Sequence, residues 1–551
     1  MKNSFIKIYL LVVVISISYK LPAQIINLPA ENETYFFLKK MQVDGILKEY
    51  SDYVLPVPKE KIIDAIKQLD TSRQLISFVE RDYLDKLKQK YLNYNTNQVP
   101  VFSNFPEQVF SDKPKNLYFF YNDEITFIVN PLLDFKYIYS KNKYASLLNA
   151  GGEVKGRYSD WFEFEISAVN GSVFGNRNVA LFDKRVKQSY TFNHTEINYF
   201  DGTTGSMYFH KGIFDLQIGR DRLLWGNGYI NREVLSNNPP IFDFIKLSMN
   251  YKNISYNYLH GWLSAIPRYN YYDSVNTIVK SRTPKYISIA RLGYQDDNFA
   301  TGISQIMIYA QRPMELAYLN PFLFWESAQR SMNDNDNGFL SFDGKYLIKP
   351  GIEINASIIF DDINFQRYFK GEWNTCNNRL MWQIGTILTN PISLDNVVLR
   401  MEYFQIRPFT FTHDALSDAL TFTNNGYMLG PDAQPNSARL SLALDYYLSS
   451  RLRLNVEYFY QIHGNNSYDK NGKITRNVGG DVNGYSTLDV PTVVYFLEGE
   501  RDFKQMAALG LSWELFPGYY LNFNYEYHAI KFQNSFTREN FFTSHVIFSF
   551  N

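Results

Sequence analysis

The chain is expected to fold as an all-β protein, an antiparallel transmembrane β-barrel of about 18 strands with a small N-terminal α-helical domain. Three observations lead there. Aromatic residues make up 17% of the sequence, with 43 Tyr and 44 Phe against 7 Trp, while mean hydropathy stays at −0.30. From about Asn116 to the end, apolar residues recur at every second position in segments closed by turn signals. No segment after the N-terminus reaches the roughly 20 uncharged apolar residues that a membrane-crossing helix needs. An apolar outer face, aromatic girdles at two interfaces and a polar lumen satisfy all three conditions together. A large β-sandwich or β-solenoid satisfies the composition alone.

The first residues, MKNSFIKIYLLVVVISISYKLPAQ, set Lys2 and Lys7 before an apolar run from Ile8 to Ser18 and close on small or polar residues through Ala23 and Gln24. That order reads as a secretory signal peptide over residues 1–24, too short to span a bilayer. Residues 25–115 read as a small amphipathic helical domain and linker. A short helix over Tyr35 to Gln42 ends near Gly45. A second follows Pro58 with Ile62, Ile66 and Leu69 on one face. A third places Leu75, Val79, Tyr83, Leu87 and Tyr91 together, with Thr71 and Ser72 as N-caps between the two. Pro100, Pro106 and Pro114 punctuate the polar linker.

Residues 116–551 carry the barrel pattern. LLDFKYIY sends Leu133, Phe135, Tyr137 and Tyr139 to one side and Asp134 and Lys136 to the other, and WFEFEIS divides Phe162, Phe164 and Ile166 from Glu163, Glu165 and Ser167. IKLSMNY and ISYNYLH form a hairpin about a Lys252-Asn253 turn, with Ile245, Leu247, Met249 and Tyr251 answered by Ile254, Tyr256 and Tyr258. The last strand, SHVIFSFN, alternates through Val546, Phe548 and Phe550 and departs from an aromatic terminus only by Asn551. Roughly 24 residues per strand and loop give the even count of about 18.

Several function classes are disfavoured. Removing Lys2, Lys7 and Lys20 with the leader leaves 52 basic against 55 acidic residues, a balance that attracts no nucleic acid. The single Cys376 supplies no intramolecular disulfide framework. The seven histidines, His194, His210, His260, His413, His463, His528 and His545, sit in no hydrolase motif, and no HExxH or CxxC spacing occurs, so neither an enzyme nor a resident metal or cofactor is expected. In SMNDNDNGFLSFDG the residues Asp334, Asp336 and Gly338 resemble a calcium loop, but no Glu closes it and a solvated surface loop is expected.

The densest motif is GRDRLLWGNGYINRE, Gly219 to Glu233. Gly226 and Gly228 lack the following helix and third glycine that a phosphate-cradling loop needs. Its extension IGRDRLLWGNGYINREVLSNNPPIFDFIKL, together with LAYLNPFLFWESAQRS (316–331) and SFDGKYLIKPGIEINASIIFDDI (341–363), resembles the Wzi-type capsule-assembly proteins of the bacterial outer membrane. The order of Arg, Trp-Gly-x-Gly, Asn-x-Pro-Pro and Phe-Asp-x-Ile-Lys carries the resemblance, which covers nearly the whole mature chain. It implies an outer-membrane barrel with a small periplasmic helical domain that holds capsular or other extracellular polysaccharide noncatalytically. Outer-membrane lipid and the barrel-insertion machinery are its other expected partners. A porin or oligosaccharide channel is the competing class.

Two readings of the motif stand side by side. Arg220, Arg222, Trp225 and Asn227 suit an acidic glycan, because guanidinium groups grip carboxylates and an indole stacks on a sugar face. The same residues, with Lys246, suit a lumen network paired to Asp221, Glu233, Asp243 and carboxylates of other strands. Glu326, Asp361 and Asp362 join the candidate set, since paired carboxylates serve glycoside chemistry but more often partner Arg and Lys. The network reading expects Arg222→Ala to destabilise the barrel and Trp225→Ala to be milder.

Overall fold

The computed structural model describes residues 28–550 apart from 93–98, 101–108, 114, 123, 194–197, 267, 272–277, 282, 364, 376–377, 414–417 and 485–490. The leader reading over 1–24, most of the linker, Cys376 and His194 lie outside the described residues.

Three helices open the described chain: α1 (Glu33–Val43), α2 (Lys59–Thr71) and α3 (Phe78–Tyr91). Leu38, Met41, Ile62, Ile66, Leu69 and Leu84 bury the apolar faces against one another. The third helix starts later than the apolar spacing suggests. Residues Arg73–Leu75 form a single 3₁₀ turn, and the cap is Ser77, whose hydroxyl accepts from Glu80 N while Glu80 accepts from Ser77 N. This reciprocal capping box, rather than Thr71 or Ser72, fixes the start and leaves Leu75 exposed.

Eighteen strands close into an antiparallel barrel. They are β1 (Ile125–Ser140), β2 (Lys143–Tyr158), β3 (Phe162–Gly175), β4 (Tyr199–Lys211), β5 (Phe214–Asp221) and β6 (Phe242–Tyr251). Next come β7 (Ile254–Ser264), β8 (Pro284–Gln295), β9 (Phe299–Ala310), β10 (Asn337–Lys349), β11 (Ile352–Ile363) and β12 (Asn378–Thr389). The circuit ends with β13 (Val397–Ile406), β14 (Ser437–Ser449), β15 (Leu452–Asn465), β16 (Glu500–Phe516), β17 (Tyr519–Phe532) and β18 (Ser535–Ser549). Closure runs from Phe542↔Tyr139 to Ser549↔Leu132. Beyond Leu132 the short strand Tyr118–Tyr121 takes over the same edge of β1, pairing Tyr118 with Val129, so the C-terminus leaves no open seam.

Connections at one rim are two to seven residues long, whereas seven of those at the other rim run from 14 to 34 residues. Alternation sorts the wall residues as expected: Leu133 and Phe135 face outward and are nearly half exposed, while Asp134 and Lys136 face inward and meet Arg185 and Asp183. The hairpin register also follows the turn, with Leu247↔Tyr258, Met249↔Tyr256 and Tyr251↔Ile254.

The lumen departs from the polar interior that the sequence suggests. Leu259, Ile287, Ile289, Ile306 and Ile308 point inward and pack on Trp225, Phe411, Phe422 and Leu429 from the loops 222–241 and 407–436. Strands apolar on both faces can exist here because long loops descend and bury the inner face. The helical domain closes the short-turn rim: Lys86 pairs with Glu514 at 2.9 Å, and Gly351 N donates to Val43 O at 2.8 Å.

Candidate functional site

The motif of 219–233 lies where the N-terminal segment and the lumen meet. Leu224 and Trp225 form a two-residue antiparallel ladder with Leu55 and Val54, stitching the helical domain to the loop 222–241. The loop then turns sharply. Gly226 holds φ +142°, and a Cβ on Gly228 would lie 1.8 Å from Asn231 O, so neither position admits a side chain.

Two buried carboxylates hold the turn through its backbone. Glu233 accepts from Asn227 N (2.8 Å) and Gly228 N (3.1 Å). Glu402 of β13 accepts from the backbone N–H groups of Tyr229, Ile230 (2.8 Å) and Asn231 (2.8 Å). Burial pushes the Glu233 carboxyl up, and the two N–H donors of Asn227 and Gly228 oppose it. Around this turn lies an ion network. Asp52 meets Lys345 at 2.7 Å and Arg232 at 3.3 Å, Lys39 meets Glu353 at 2.6 Å, and Arg291 grips Asp343 in two bonds of 2.9 and 2.7 Å. Burial pushes the Asp52 carboxyl up, but the Lys345, Lys39 and Arg232 charges outweigh it and hold it well below the usual carboxylate range. The network is mutually paired, which suits a rigid plug better than a ligand cradle.

The sequence-predicted residues are brought to several places rather than one. Trp225 is 0% exposed in the lumen core. Asn227 is buried and donates to Asp343 at 3.3 Å, and Lys246 is buried and donates to Pro56 O at 2.9 Å. Arg222 pairs with Glu31 of the N-terminal segment at 3.2 Å and donates to Asn237 O and Pro239 O, while Asp221 accepts from Arg222 N. Arg220 and Asp243 form a cross-strand pair at 3.1 Å on the outward face of β5 and β6. Glu326 pairs with Arg330 on a helix of a long loop, Asp361 accepts from Phe411 N, and Asp362 stands opposite Arg379 in the ladder. Asp336, expected in a solvated loop, is buried and held by Arg312 and Tyr318.

Sequence reasoning missed Asp52, Lys345, Glu353, Arg291 and Glu402. The four strand residues carried a signal, a charge at an inward position beside apolar neighbours; Asp52 carried none. Among the described residues, Glu60, His210 and Asp215 bring metal-ligand atoms within 4.8 Å of one another at the short-turn rim, where His210 Nδ1 lies 2.7 Å from Asp215 Oδ1.

At the long-loop rim, loops 364–377 and 466–499 are joined by a Thr375↔Val493 bridge. There the Tyr368 and Trp373 rings stack at 6.1 Å and 30°, and Trp373 is 56% exposed. Arg407 steadies them by donating to Trp373 O at 2.7 Å. A cavity of about 800 Å³ lies between α3 and the walls of β14–β17, with Arg453, Asn455, Glu457, Asn522 and Glu526 among its lining.

The family model for the capsule assembly protein Wzi matches residues 148–540. The chain belongs to the Wzi capsule-assembly family. As a Wzi-family member it is an outer-membrane β-barrel of capsule assembly. Among solved structures it is similar to Wzi of Escherichia coli, described as an outer-membrane protein involved in group 1 capsule assembly and a carbohydrate-binding β-barrel. The identity is 12%, the TM-score 0.57, and the alignment covers 95% of this chain and 98% of that one, so the likeness is one of fold. OprD of Pseudomonas aeruginosa aligns at 11% identity and TM-score 0.42 over 77% of this chain and 94% of its own. No curated protein matches in sequence.

Proposed function

We propose that this Wzi-family barrel holds capsular or other extracellular polysaccharide at the cell surface without catalysis, with its long-loop rim outside and its helical domain in the periplasm. Short periplasmic turns and long outer loops are the rule for such barrels and support that orientation. The observation that carries the binding reading is the Tyr368–Trp373 platform on the bridged rim loops, an exposed aromatic surface steadied by Arg407. Sugar rings stack on such a surface through their apolar faces. In this reading Arg222, Trp225, Asn227 and Lys246 are scaffold. Asp361 and Asp362 support the rim from below, Asp361 by holding the backbone of Phe411. Arg220, Asp221, Asp243 and Glu326 also serve the wall and loops rather than the glycan.

The test is retention of native capsular polysaccharide by the full-length protein and by Trp373→Ala. The loss of a stacking contact, on the order of 0.5–1.5 kcal/mol, predicts severalfold to tenfold weaker retention with unchanged heat-modifiable gel mobility. Undiminished retention by a well-folded variant would remove the platform from the site. The channel reading draws support from the cavity beside β14–β17. A stable open pore in planar bilayers would favour it over anchoring, and a closed barrel would favour anchoring.

A further inference from the structure

The segment LAYLNPFLFWESAQRS does not contribute to the lumen. It belongs to the loop 311–336 between β9 and β10, and this loop folds down the outside of the barrel. The inward residues of β7–β9, such as Leu259, Ile289 and Ile306, lie in the lumen core. Their neighbours Tyr258, Ala290, Met307 and Tyr309 therefore face outward, and they form a separate cluster with Tyr318 and Trp325 of the loop.

The loop is fastened to the wall by hydrogen bonds. Tyr258 Oη donates to Tyr318 O at 2.9 Å, Gln305 Nε2 to Leu323 O at 2.8 Å, and Tyr256 Oη to Pro321 O. Trp325 N donates to Gln305 Oε1 at 3.1 Å, and its indole Nε1 to Asn320 O at 3.2 Å. Phe322 stacks on Tyr256, only two residues from the short-turn end of β7. The loop thus descends past most of the wall. Irregular backbone survives at membrane depth only where its polar groups are satisfied by protein, as the carbonyls of Tyr318, Asn320, Pro321 and Leu323 and the N–H of Trp325 are. The wall in turn needs the cover, because outward-facing Ser288 and His260 are fully buried beneath it.

The loop is graded along this descent. Its deepest stretch, Pro321 to Phe324, is wholly apolar, with Phe322 73% exposed, and Leu316 is 80% exposed. Its charges, Glu326 and Arg330 on the helix Trp325–Met332 and Arg312 with Glu315, Asp334 and Asp336, lie toward the long-loop rim; Glu326 reaches Gly338 at the top of β10. The exposed apolar side runs on into the outward belt of β8 and β9 at Leu292 (51% exposed) and Ile303. We infer that loop 311–336 is a lateral clasp embedded in the membrane, whose outer side, Leu316, Phe322 and Phe324, contacts the acyl chains of the bilayer.

The experiment places a single cysteine at Phe322 in a Cys376→Ser full-length background, labels it with a bimane dye and refolds the protein into phosphatidylcholine–phosphatidylglycerol vesicles. Leu292→Cys on the outward face of β8 serves as the lipid control and Phe369→Cys on the rim as the aqueous control. Phe322→Cys should follow Leu292→Cys, with severalfold quenching by doxyl-labelled acyl chains and little by iodide. Iodide quenching at the level of Phe369→Cys would overturn the inference. So would efficient disulfide dimerisation of Phe322→Cys in dilute vesicles, which would assign the face to a second copy. Leu316→Cys repeats the measurement if Phe322→Cys loses heat-modifiable mobility.

Discussion

Replacing Trp225 by Ala removes an indole that is 0% exposed and packed among Leu223, Val234 and Leu235 of its own loop and the inward side chains of the wall. Truncating a large buried aromatic costs about 3–5 kcal/mol, because the cavity adds to the lost transfer free energy. Arg222 stands differently. Its partner Glu31 is half exposed, an ion pair of about 0–1 kcal/mol, and of its two carbonyl contacts that with Asn237 O is exposed and that with Pro239 O half-buried, so Arg222→Ala should cost about 1–2 kcal/mol in total. The order is therefore the reverse of the one the motif's charges suggest. The assay is the denaturant midpoint of each refolded variant in detergent, followed by the conversion temperature of its heat-modifiable gel band. An Arg222→Ala protein that loses as much stability as Trp225→Ala, or more, would refute the reasoning and assign the plug to ion pairing rather than apolar packing.

Two further outcomes follow from the same turn. Glu402→Ala strands the backbone N–H groups of Tyr229, Ile230 and Asn231 in the lumen, at about 1–3 kcal/mol for each group that water does not reach. The loop 222–241 should become sensitive to limited proteolysis, and resistance equal to that of the parent would count against the carboxylate clamp. Asp52, with its carboxyl held below the usual range, contributes stability that is complete above about pH 4 and fades as pH falls from there toward its lowered pKa. Asp52→Asn should be less stable at neutral pH and should lose less of its remaining stability on acidification; an acid limb as steep as the parent's would show that other carboxylates dominate.

The period of two determined the barrel, the outward and inward parity of LLDFKYIY and WFEFEIS, and the register of the hairpin about Lys252-Asn253, because alternation is a local property and a two-residue turn fixes which residues face each other. The start of α3 was also written locally, in Ser77 and Glu80, although the apolar spacing of Leu75 pointed elsewhere. Of the candidate site, the glycines of Gly219–Glu233 announced a sharp turn, and its charges announced pairing. Their partners were not legible. Asp52 meets Lys345, and Arg222 meets Glu31, across sequence separations for which periodicity holds no information. Parity likewise says that Asp243 and Lys246 face opposite ways but not which way is the lumen. Only the tertiary structure decided that loop 222–241 fills the interior while loop 311–336 covers the outer wall. Both loops mix apolar and charged residues, and each settles where strand side chains satisfy its backbone and apolar area is buried, a condition set by the whole wall and not by the loop's own sequence.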